Sequence, residues 1–175
     1  EEIIRRVIHP RDDLDELNLL DPESRWSYIV FLQILGKYLD MKTDRDERDE
    51  TFDYARSSFP HYAERMLEHE TPFRDRFQQV EYPTETWPAQ DIRKSCVFDF
   101  ACVYGPEPLR DRFRARAEEF FRVSVDGVSS FDTRHCTRPI AILLGSGTQR
   151  GRFVVDPPAP EPAPTHSHDF GAPVT

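Results

Sequence analysis

The sequence predicts an all-α fold: antiparallel helical hairpins in two layers, followed by a disordered C-terminal tail. Three observations carry that expectation. Apolar residues recur at three- and four-residue spacing almost throughout. Stop signals such as Gly105–Pro106 separate the periodic runs. Runs that are apolar most of the way round alternate with runs carrying a single apolar stripe, as inner and outer helices of a layered array would. No segment alternates as a strand should, and the short "FVV" at 153–155 has nothing that calls for pairing.

Taken in order, residues 1–22 form an N-terminal extension, 23–150 a helical-hairpin domain and 151–175 a Pro-rich tail. The first helix is expected over 23–40, with Asp21 or Ser24 as its cap and Pro22 in the first turn. Trp26, Ile29, Phe31, Ile34, Leu35 and Tyr38 put apolar surface on most of its circumference. The second covers 47–70 with one stripe through Phe52, Ala55, Phe59 and Tyr62, and Pro60 should kink or split it. The third, 87–104, is again broadly apolar. The fourth, 107–123, is one-sided through Leu109, Phe113, Ala117 and Phe120. A short fifth, 138–144, carries "IAILL". Beyond Asp156 the chain reads "DPPAPEPAPTHSHDFGAPVT". It has too little apolar surface to offset the entropy of ordering.

Charge narrows the functional classes. The formal net charge is −9, so nothing is gained by counterion release on a phosphate backbone and nucleic acid is excluded as a partner. The longest apolar run, "SYIVFLQILGKYL", is too short to span a bilayer, and the N-terminus has no signal-peptide pattern. The chain lacks an initiating Met and reads as cut from something longer. Three Cys (96, 102 and 136), with no CxxC, fit a reducing compartment, so a cytoplasmic location is expected. No cofactor is expected, and no metal. His61 and His69 are eight apart, and neither HExxH nor a CxxC pair accompanies them. His166 and His168 sit in the tail. His135 and Cys136 are adjacent, and adjacent side chains point apart, which disfavours a nucleophilic dyad. "GSGTQRG" at 145–151 lacks the Lys-Ser/Thr of a phosphate loop.

One stretch concentrates polar chemistry: "YPTETWPAQDIRKS", residues 82–95. As structure it is a capped helix start, with Thr84 or Thr86 as cap, Pro88 and Asp91 in the first turn, and Trp87 burying its ring at the corner. As a site it gathers carboxylates, an amide and flat aromatics where helix N–H groups are free, the make-up of a carbohydrate site.

The alternation of inner and outer helices, with "ETWPAQDIRKS" opening an inner one after "SSFPHYAERMLEHE", resembles the (α/α) toroid proteins of the six-hairpin glycosidase-like superfamily. The likeness covers roughly residues 24–145, the later hairpins only; the chain has room for about two and a half of the six. It implies a partial (α/α) toroid with its site at the mouth where inner helices begin. Glu85 and Asp91 would then do acid/base work on a glycoside. Tyr82, Trp87, Gln90, Arg134 and His135 would bind it. Partners implied are a carbohydrate and a protein completing the helical ring. The competing expectation is a non-catalytic helical interaction module, or an inactive truncated fragment. An interaction module should leave inner-helix residues such as Trp26, Phe31 or Phe98 exposed.

Overall fold

A computed structural model describes residues 2–21, 24–73, 75 and 88–129. All regular structure among them is helical: α1 (Glu2–Val7), α2 (Trp26–Asp44), α3 (Glu50–His69), α4 (Pro88–Tyr104) and α5 (Arg110–Ser129), with a 3-10 turn, Glu107–Leu109, leading into α5. No helix among the described residues is long and apolar enough to cross a membrane. The expected fifth helix at 138–144 and the tail at 151–175 lie outside the described residues.

Helix α2 starts and stops about one turn later than its sequence predicts. Asp21 does not cap it. Its carboxylate accepts from the Ser24 amide and hydroxyl (3.4 and 2.6 Å), and the helix begins after Arg25 with no side-chain cap. At the other end the helix continues through "MKTD" because its stop is not a glycine. Asp46 adopts positive φ (55°), the amide of Glu47 reaches the carbonyl of Lys42 (2.9 Å), and that of Asp46 reaches Thr43 (3.1 Å). This is a Schellman stop built on aspartate, one of the few residues that tolerates the left-handed region.

Helix α3 has an orthodox start. The Asp49 side chain accepts from the Phe52 amide at 2.9 Å. A 2.6 Å hydrogen bond from Lys42, and then that amide, hold its carboxyl below the usual value. Pro60 does not split the helix: α3 is one helix through it. Phe59, Tyr62, Ala63 and Met66 are buried on either side of the proline, so packing holds both halves on the core.

Helices α2 and α4 run parallel, with Gly36 of α2 against the Phe100 ring; a Cβ at Gly36 would lie 2.3 Å from it. At their far ends Tyr104 donates to Asp40 (2.8 Å). Helix α3 packs on both, and α5 lies along α4. Helix α4 is therefore the centre of the core. Val97, Phe98, Phe100 and Ala101 are buried, with Phe98 between Phe113 and Phe120 of α5 (ring centroids 6.3 and 5.6 Å).

The N-terminal extension contains structure that the pattern does not announce. Helix α1 packs on α3, and residues 8–15 are tied down along it. Tyr54 donates to the carbonyl of Ile8 (2.8 Å), His61 meets the carbonyl of Asp12 (2.8 Å), and Tyr62 donates to the Asp12 carboxylate. Burial first, and then the Asp12 contact, push the Tyr62 phenol well above its usual value.

Candidate functional site at the heads of α2 and α4

The parallel run of α2 and α4 brings their first turns together with the C-terminal end of α3. Three buried charged groups meet there. Lys94, 2 % exposed, sits on the same stripe of α4 as Asp91, Phe98 and Ala101. Its ammonium lies 2.9 Å from Glu70 Oε2, 3.0 Å from the carbonyl of Thr71 and 3.4 Å from Asp91 Oδ1, and 5.4 Å from the centre of the Phe120 ring. Glu70 Oε1 accepts from the Tyr28 hydroxyl at 2.6 Å, and its main-chain carbonyl accepts from Arg116. Charges this deep persist only when paired and hydrogen-bonded.

Asp91 is 1 % exposed. Both of its oxygens accept the Phe73 amide (2.9 and 2.8 Å). Burial pushes its carboxyl up to about 6, against the opposing pull of Lys94 and the Phe73 amide. That value suits proton transfer near neutrality. The geometry, however, commits both oxygens to holding residues 71–73 against α4. Gln90 is also buried, with its Oε1 3.5 Å from an Arg93 nitrogen. It helps to line a cavity of about 20 Å³ together with Glu70, Lys94, Tyr28, Arg25 and Trp26. That is room for about one water molecule.

The cavity adjoins a larger groove. Residues from α1 (Val7), the following turn (Ile8, Leu17, Leu19) and α2 (Trp26, Val30, Phe31, Ile34) line a concavity of about 550 Å³, with Tyr62 of α3 also facing it. Trp26 is 47 % exposed and Ile34 58 %, while Phe31 is half-buried and Phe98 is not exposed at all. Arg25 is the one charged residue among the described residues that line the groove, and it forms no ion pair with any of them.

Of the residues that the sequence marks as a site, the described structure includes Gln90 and Asp91 and brings them to one end of α4. Tyr82, Glu85, Trp87, Arg134 and His135 lie outside the described residues. Sequence reasoning missed Glu70, Lys94 and Tyr28. One signal was present: a lysine and an aspartate three apart on the stripe that Phe98 and Ala101 continue, where charge has no business unless it is paired. Among the described residues no group of three His, Cys, Asp or Glu side chains is placed to hold a metal. No family model, curated protein or solved structure matches this chain.

Proposed function

We propose that this chain is a helical recognition module that binds an apolar helical segment of another protein in the groove between α1 and α2. The observation that carries the reading is the exposure of large apolar side chains around that concavity. Trp26 and Ile34 stand about half exposed beside Val7 and Leu17. Contiguous apolar surface of this kind, with α2 as one wall and the chain from Val7 to Leu19 as the other, is what helix-in-groove recognition uses. Aromatic residues such as Trp26 are the anchors that most often dominate such interfaces. The test is a thermal-shift titration with amphipathic helical peptides. A partner that binds only the folded state must raise the melting temperature. Ile34→Asp should remove the shift without lowering the melting temperature of the free chain. A peptide-induced shift that persists in Ile34→Asp would rule out the groove.

A second reading is supported by the position of the small cavity. It opens where the first turns of α2 and α4 meet, the place that a partial (α/α) toroid would use, and it joins Gln90, Glu70 and Lys94 to Trp26 and Arg25. A sugar ring, too large for about 20 Å³, would lie over the opening against Trp26. Binding fits better than glycoside hydrolysis, because Asp91 is already spent on Phe73 and Lys94. Titration with a panel of oligosaccharides and uronic acids decides it: a melting-temperature rise that Trp26→Ala or Gln90→Ala abolishes would favour this reading over the first.

A further inference from the structure

Resting on the recognition reading, we propose that the groove selects an amphipathic helix that carries an acidic residue just beyond its apolar anchors, and that Arg25 reads that acid. Three observations converge. The chain as a whole is strongly acidic, with a net charge of −9, yet the only charge lining the groove among the described residues is positive. Arg25 is exposed at the head of α2 and is not consumed by any described carboxylate. It sits at one end of the apolar wall, not in its middle. The wall from Trp26 to Ile34 spans nine residues of helix, a rise of about 12 Å. A partner helix lying along it presents about two turns, so anchors at i, i+4 and i+7 fill it and the next turn meets Arg25.

The arrangement gives the groove a direction. Apolar anchors alone fit such a surface in either sense, and one guanidinium at one end penalises the reversed helix. Rim charges act in this way on orientation and association rate more than on total affinity. A second copy of this chain is a poorer occupant, since bringing two chains of net charge −9 together is opposed by their mean field.

The experiment uses the full chain and two fluorescently labelled model helices of about 14 residues, about four turns. Both carry Leu at the three anchor positions on an Ala/Gln background. They differ only in Glu or Lys one turn beyond the last anchor. Binding is read by fluorescence anisotropy, with circular dichroism confirming that each variant melts as the parent does. The Glu peptide should bind about tenfold more tightly, attraction in one and repulsion in the other each falling within the range of an exposed pair. Arg25→Glu should invert the preference, and Ile34→Asp should weaken both peptides. Equal binding of the two peptides, unchanged in Arg25→Glu, overturns the charge inference and leaves the recognition reading standing. No binding of either overturns both. Self-association of the chain at the same concentrations, abolished by Ile34→Asp, would make the occupant a second copy and also overturn the inference. So would a response to dodecanoate in place of either peptide.

Discussion

Helices α2 and α4 carry similar broadly apolar patterns, and α4 is much the more completely covered, with Val103 near its end its one large apolar residue left exposed among those described. Helix α4 meets α2, α3 and α5, and ten of its residues from Gln90 to Ala101 are buried. Helix α2 buries Ile29, Leu32, Leu35 and Leu39 against α3 and α4, while Trp26, Ile34 and Met41 face outward. Broadly apolar patterns therefore led to two outcomes: a core in one helix, a partly open surface in the other. What an apolar circumference specifies is the number of neighbours a helix can accept. Whether they arrive depends on the rest of the chain and on its partners.

Substitutions should divide along the same line. The largest effect is expected at Phe98. It is fully buried between Phe113 and Phe120, and Phe98→Ala should cost about 3–5 kcal/mol in denaturant unfolding. A loss below about 1 kcal/mol would mean that α4 is not the core helix described. Lys94→Met should cost a similar amount, about 3–5 kcal/mol at neutral pH, because it strands Glu70 and Asp91 without their cation. Gly36→Ala tests the seam between the two helices. Its Cβ meets the Phe100 ring, so about 1–3 kcal/mol of overpacking should outweigh the helix-propensity gain, and Phe100→Ala should relieve most of it.

A smaller effect is expected from pH. Asp91 binds its proton more tightly folded than unfolded, so native protein holds more protons between about pH 4 and 6. Its contribution to stability is therefore lost as pH rises through that window and is constant above it. Comparing unfolding of the parent with Asp91→Asn across pH 4–7 should show the parent losing ground over that interval. A flat difference would mean that the carboxyl is better solvated than its burial indicates. Smallest of all, Ile34→Ser on the open face of α2 should shift stability by no more than about 0.5 kcal/mol.

The contrast also explains what could be read in advance. The four long helices were legible because each depends on local periodicity, and the stripe of α3 through Phe52, Phe59 and Tyr62 is buried as its spacing demands. The end of α2 was misread because its stop is an aspartate at positive φ where a glycine is usual. Helix α1 and the turn behind it were not legible, since they bury only Ile4, Ile8 and Leu14 and are otherwise fixed by single hydrogen bonds of Tyr54, His61 and Tyr62 to partners more than forty positions away. Gln90 and Asp91 were picked out by residue type. The sequence could not show that Asp91 faces inward, because its neighbours Glu70 and Phe73 arrive from the far side of a connection whose path no local pattern gives.

That connection has a consequence for how such a chain tolerates change. The Asp91 carboxylate on the Phe73 amide, and Lys94 on the Thr71 carbonyl, fasten the two ends of the intervening stretch to each other independently of what lies between. Once the ends are tied, extra residues cost only closing entropy, about 0.6 kcal/mol for each doubling of length. The core end of the connection, residues 71–73, is thus held to α4 by ties that do not depend on how long the connection is.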